Sequence, residues 1–118
     1  MRFQRSSLAM KLIILLPAVA AAVTILSLQT TLKDRQQRAA ELEAEVTAAE
    51  AHASELPWNF APVLDVGRQP LWPRFYDTFG EDAHLAARLG REAVLGTQAS
   101  GQVAATMKHY LGYGAPRS

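Results

Sequence analysis

The sequence predicts an α/β fragment: a long N-terminal helix, transmembrane in its first part and coiled-coil-like in its second, then a strand-helix-strand unit. Three observations predict it. An uncharged run from Leu12 to Leu32 is followed by a stretch to Ser54 that is rich in Ala, Glu, Gln, Lys and Arg and lacks Gly and Pro. A short, mostly apolar segment, Trp58 to Val66, then ends at Gly67 and Pro70. Last, a helical pattern over Asp82 to Gln98 leads through a turn into a second apolar segment, Val103 to Tyr110. The expected divisions are 1–32, a signal anchor or transmembrane helix, 33–56, an Ala/Glu-rich helix, and 57–118, a partial α/β domain.

The bulk numbers limit the function classes. At 118 residues the chain holds one small domain at most. A net charge of +1 gives no strong field, so nucleic acid is not an expected partner. Without cysteine there is no disulfide frame, thiolate metal site or Cys nucleophile. His52, His84 and His109 are far apart and show no ligand spacing, so neither a metal nor an organic cofactor is implied.

The N-terminal run is long enough to cross a bilayer, which takes roughly 20 apolar residues. Arg2, Arg5 and Lys11 precede it. The same pattern fits a secretory signal peptide, with Leu12–Leu16 as the apolar centre, Pro17 as a breaker and Ala18-Val19-Ala20 as a small-residue cleavage site. Apolarity continues through Val23, Ile25, Leu26 and Leu28, which favours an uncleaved anchor over Leu12 to Leu28. A buried soluble helix is the third reading. Lys33, Arg35 and Arg38 on the far side nearly balance the leading cations, so the positive-inside rule supports a cytoplasmic N-terminus only weakly.

The next stretch is composed of helix formers. Leu28, Leu32, Arg35, Ala39, Leu42, Val46, Ala49, Ala53 and Leu56 alternate at spacings of four and three, a heptad seam thinned by Ala and Arg. One reading packs this stripe on the chain's own domain. The other offers Leu42 and Val46 to a partner helix. Pro57 is expected to stop the helix. A basic start, one apolar span and an Ala/Glu/Gln-rich helix resemble, over residues 1 to about 50, the membrane-anchored septum-formation initiator proteins of bacteria. That resemblance implies a bitopic protein acting by coiled-coil pairing.

Trp58 to Val66 is expected to be a strand buried on both faces. Its end carries a loop rich in aromatic and cationic groups: Arg68, Trp72, Arg74, Phe75, Tyr76. Glu81-Asp82 suits the positive end of the helix that follows, and Val103 to Tyr110 closes the unit in Lys108-His109-Tyr110. Strand-helix-strand order implies parallel pairing with a right-handed crossover. Arg74, Lys108 and His109 would then meet at the carboxyl ends of neighbouring strands, where parallel sheets build ligand sites. Donors backed by aromatic faces suit a polyhydroxylated ligand. The competing reading pairs Arg74 with Glu81 or Asp82 and makes the aromatics core.

WNFAPVLDVGRQPLWPRFYDTFGED followed by VAATMKHYLGYG resembles the family 3 glycoside hydrolases, the β-glucosidase and β-xylosidase group, over about Val46 to Ser118. The resemblance implies a piece of an N-terminal (β/α)₈ barrel, with Arg74, Lys108 and His109 binding a β-linked sugar. The loop departs from the usual pattern, since Gln69, Leu71 and Pro73 stand where Asp, Arg and Gly are usual, and Asp77 where Glu is. Retaining enzymes of this kind need two carboxyl groups about 5–5.5 Å apart. The resemblance puts the nucleophile, an Asp in a Ser-Asp-Trp-like segment, and then the acid/base further downstream than these residues reach. Asp65 and Asp77 have no evident role in cleavage. The expectation is a truncated glycosidase that binds sugar and does not turn it over alone.

Overall fold

The computed structural model describes residues 3–110 and 112–116. The chain divides into two compact units, Met1–Arg35 and Gln36–Ser118. Arg2 of the basic start lies outside the described residues.

Helix α1 covers Phe3–Ala53, with Pro17 inside it. Pro17 removes one backbone donor but does not end the helix. From Ile13 onward α1 is long and apolar enough to cross a membrane, with a mean hydropathy of 2.1 over its most apolar window, none of it buried. Thr24, Ser27, Thr30 and Thr31 interrupt this surface, but each hydroxyl donates to a carbonyl three or four residues back. Those hydrogen bonds are local, so these side chains bring no unpaired donor to an apolar surrounding.

In the second unit α1 packs through a different stripe from the heptad seam. Ala44 and Ala48 are buried and Gln37, Ala40, Glu41 and Ala51 are partly covered, whereas Leu42 (44% exposed) and Val46 (59%) face away. The reading that laid the Ala/Leu seam on the chain's own domain is corrected. The physical reason is size. Small residues at 44 and 48 let α1 approach a glycine of the second helix, which Leu42 and Val46 could not do. The end of α1 also differs from expectation. Glu55, at φ 59°, turns the chain, and Leu56 and Glu55 donate to Ala51 and His52 carbonyls, a left-handed cap that ends the helix before Pro57 is reached.

Strand β1 is Trp58–Asn59 and β2 is Ala104–Ala105, paired in parallel with Trp58 opposite Ala104. Both are far shorter than the Trp58–Val66 and Val103–Tyr110 strands expected. Pro62 explains part of this, because it has no N–H to give a ladder. The two segments still run side by side. Thr106 and Lys108 donate to Ala61 and Pro62, Leu64 donates to Lys108, and Val63 pairs with Lys108 as an isolated bridge. Asn59 pairs with Ala105 but Val63 with Lys108, so the first segment takes one residue more between the two pairings. That is a bulge, which leaves a residue out of the ladder and bends the strand. After it, Val63 and Asp65 both point inward and are buried.

Helix α2 spans Ala83–Gln98. Asp82 caps it, its carboxylate accepting from His84 and Leu85 N–H groups. Gly90 and Gly96 set its two close approaches. A Cβ at Gly90 would lie 2.2 Å from Leu64 Cδ2, and one at Gly96 would lie 2.3 Å from the Glu41 carbonyl oxygen of α1. Arg88 adds a hydrogen bond of 2.5 Å to Gln37. The core is correspondingly thin: Ala44, Ala48, Val63, Trp72, Ala86 and Val103.

Candidate functional site

The site lies where both parallel segments end. On the first side Val66 runs into a loop closed at its neck by a hydrogen bond from Gly67 N–H to the Gly80 carbonyl (2.9 Å). Inside, Trp72 N–H donates to Gln69, Phe75 N–H to Trp72, and Asp77 N–H to Arg74, the last two around a 3-10 turn over Phe75–Asp77. Gly67 is required here, since a Cβ would come within 2.8 Å of the Phe75 ring and 2.9 Å of Thr78 Oγ1. Thus the loop that carries Arg74 is held by its own backbone.

Arg74 is fixed by Asp77. Its Nε and Nη2 both donate to Asp77 Oδ2 at 2.8 Å. The expected alternative partners, Glu81 and Asp82, are not used, and Asp82 is occupied in capping α2. The third nitrogen, Nη1, reaches His109 Nε2 at 3.1 Å. Arg74 and His109 are 35 residues apart in the chain and meet as the strand-end geometry requires. Lys108 adjoins His109, and its backbone pairs with Pro62 and Leu64. Among the described residues its ammonium group makes no hydrogen bond or ion pair, so the three expected residues are not joined in one contact.

Asp65, left without a role in the reading of the sequence, lies against His109. It is 2% exposed and accepts three hydrogen bonds. His109 Nδ1 donates to Oδ2 at 2.6 Å, His109 N–H donates to the same oxygen at 3.3 Å, and Tyr113 N–H donates to Oδ1. Burial pushes this carboxyl up, but the hydrogen bonds from the His109 ring and from the Tyr113 and His109 backbone outweigh it, and its pKa lies below the ordinary 3.8. One signal was available: an acidic residue two positions after Val63 in an otherwise apolar segment falls on the buried face, where a carboxylate needs partners.

The aromatic groups divide between core and surface. Trp72 is buried with its ring 5.4 Å from Tyr113, edge to face, and Tyr113 in turn lies 5.6 Å from the His109 ring. Tyr76 is 83% exposed. Gly114 lets the last described loop reach the first strand, since a Cβ there would run into the Val66 carbonyl, and Arg68 N–H donates to Gly114 at 3.0 Å. A cleft of about 430 Å³ runs along Gln69, Leu71, Trp72, Pro73, Arg74, Tyr113 and Pro116. No group of His, Cys, Asp and Glu able to hold a metal ion occurs among the described residues.

The chain is similar in sequence to known proteins. The chain is 42% identical over 85 residues to "Lysosomal beta glucosidase" of Dictyostelium discoideum, covering 64% of this chain and 10% of that protein. It is 36% identical over 75 residues to "Periplasmic beta-glucosidase" of Salmonella typhimurium, covering 59% and 10%. It is 32% identical over 80 residues to "Periplasmic beta-glucosidase/beta-xylosidase" of Dickeya chrysanthemi, covering 63% and 12%. The chain therefore spans only about a tenth of the length of the curated relatives it matches. The family profile "Glycosyl hydrolase family 3 N terminal domain" matches residues 18–118, the whole of the site included, and the chain belongs to glycosyl hydrolase family 3 as part of its N-terminal domain.

Proposed function

We propose that the chain supplies the sugar-gripping wall of a β-glucosidase-like site, with Arg74, Lys108 and His109 as the groups that hold a β-linked sugar. The observation that carries this is the Arg74–His109 contact at 3.1 Å, made at the ends of two parallel segments beside an aromatic-lined cleft. A planar fork of donors holds hydroxyls at fixed angles, and an aromatic wall covers the apolar face of a pyranose. The strand-helix-strand unit is read as part of a (β/α)₈ barrel, whose ligands bind at strand carboxyl ends. The names of the relatives support a β-glucoside as the sugar and O-glycosyl hydrolysis as the reaction of the complete site. Two of those names, periplasmic and lysosomal, together with the apolar part of α1, support a site delivered outside the cytoplasm by a signal or anchor.

On this reading neither described carboxylate of the site cleaves the bond. Asp65 is buried under three donors and Asp77 is committed to Arg74. In methyl β-glucoside titrations of the detergent-solubilised chain, Arg74→Ala is expected to weaken binding at least tenfold, the usual weight of a charged hydrogen bond. An aryl β-glucoside should be left intact by the same preparation. Equal affinity in Arg74→Ala, or turnover abolished by Asp65→Asn or Asp77→Asn, defeats the reading.

A second reading is favoured by one observation, the outward-facing seam of α1. There the chain is a membrane-anchored coiled-coil interaction protein, with Leu42 and Val46 meeting a partner helix. Chemical cross-linking in membranes should then lose its adduct in Leu42→Asp and Val46→Asp. Adducts of undiminished yield in both variants rule out pairing through this face.

A further inference from the structure

A guanidinium carries five N–H donors and no acceptor. Because Arg74 Nη1 lies 3.1 Å from His109 Nε2, Nε2 must accept in that contact. A neutral imidazole that accepts at Nε2 carries its proton on Nδ1. That nitrogen lies 2.6 Å from Asp65 Oδ2, which can only accept when ionised. The doubly protonated ring would set N–H against N–H at Nε2, so the arrangement admits one state of the ring. The charged and titratable groups facing His109 are Asp65 from the first segment, Arg74 with its Asp77 from the loop, and Tyr113 from the last described loop; Lys108 precedes it in the chain.

We infer that Asp65 is a positioning residue, which fixes His109 as its Nδ1–H tautomer and so presents Nε2 beside Arg74 as a hydrogen-bond acceptor. The consequence for ligand choice rests on the sugar-gripping reading. A donor and an acceptor side by side fit a group that both gives and takes a hydrogen bond, which a sugar hydroxyl does and an ether oxygen or fluorine does not. Arg74 Nη1 holds the one lone pair of Nε2 here, and a hydroxyl that inserts between them can donate to Nε2 while accepting from that N–H. Asp65 would thus act on ligand selection without touching the ligand. A buried aspartate with a merely structural role would tie Tyr113 and the His109 backbone equally well, whichever ring nitrogen held the proton.

The test is ring-nitrogen NMR on the full ¹⁵N-labelled chain in detergent. The His52→Gln/His84→Gln background leaves His109 as the one histidine, and both replaced residues are exposed. At mildly alkaline pH the expected spectrum has a protonated Nδ1 and an unprotonated Nε2. Asp65→Asn, which leaves only the part-exposed Arg74 contact to hold the ring, moves it to an averaged form in which that contact is given up part of the time. A parent chain already averaged or protonated at Nε2 overturns the inference without need of the variant, so poor folding of Asp65→Asn does not rescue it. Methyl β-glucoside and its deoxyfluoro analogues are then titrated into the same sample. A fixed tautomer with no glucoside binding leaves the role of Asp65 standing and removes the sugar reading. Glucoside binding with an averaged tautomer does the reverse. With both in place, fluorine at the hydroxyl that meets His109 should weaken binding severalfold.

Discussion

Gly96→Ala is expected to destabilise the second unit by about 3 kcal/mol, although alanine is the better helix former. Two effects oppose each other. Helix propensity favours alanine over glycine by roughly 1 kcal/mol in a helix interior, and by less near an end such as this. Packing acts the other way, and more strongly. The new Cβ would lie 2.3 Å from the Glu41 carbonyl oxygen, 3.1 Å from its carbon and 2.9 Å from Ala44 Cβ. Two of these atoms are backbone, so relief requires α1 and α2 to move apart. Overpacking of this kind costs about 1–3 kcal/mol, more where the backbone must shift. Ala44 and Ala48 would lose their cover together, in a core that holds few other apolar groups. Gly90→Ala is the internal comparison. Its Cβ would meet Leu64 Cδ2 at 2.2 Å, but the next atoms of that side chain are 3.6 and 3.8 Å away, so rotation of one flexible end relieves it. Amide exchange over Ala93–Gln98 should therefore accelerate strongly in Gly96→Ala and modestly in Gly90→Ala. Equal protection in the two variants would show that the α1–α2 crossing is not what holds this unit together.

These two glycines show where the sequence could and could not be read. The α2 segment was legible because its apolar positions and its acidic start agree, and Asp82 caps it within a residue of the expected boundary. Gly90 stood in the pattern only as a propensity defect, since nothing local reveals that Leu64 lies against it. The α1 heptad seam was equally local, and it identified the wrong face. Which stripe of an Ala-rich helix packs inward depends on what its neighbour can accept, and the neighbour's glycine lies 52 residues beyond Ala44. The strands were overestimated for the same reason. An apolar run reports burial, but hydrogen-bond pairing also needs an N–H at each rung, and Pro62 with the adjoining bulge breaks the ladder.

The meeting of Arg74 with His109 was legible because it follows from topology alone. Parallel pairing brings both carboxyl ends to one rim, however short the strands are. The partner that orients each was not. Asp77 lies three residues from Arg74 and required knowledge of a 3-10 turn. Asp65 required the parity of the strand after its bulge.

Asp65→Ala is the second large effect expected, and it has a pH signature. The substitution leaves His109 N–H, His109 Nδ1–H and Tyr113 N–H without their acceptor. A buried donor left unpaired costs about 1–3 kcal/mol. The His109 side chain is 34% exposed, so water replaces part of the loss and about 3 kcal/mol is the expected total at neutral pH. The carboxyl's folded pKa lies below its ordinary 3.8, so the folded state binds fewer protons than the unfolded one near that value. The associated stability is complete above the unfolded pKa and disappears as pH falls through the folded one. Urea midpoints should therefore drop in the parent chain as pH is lowered below about 4, and drop less in Asp65→Ala, so that the two curves converge in acid. Other carboxylates titrate in the same range, which is why the difference between the chains, not the parent curve, isolates Asp65. Curves that stay parallel from neutral pH into acid would mean that the buried carboxylate is not what couples the two strand ends.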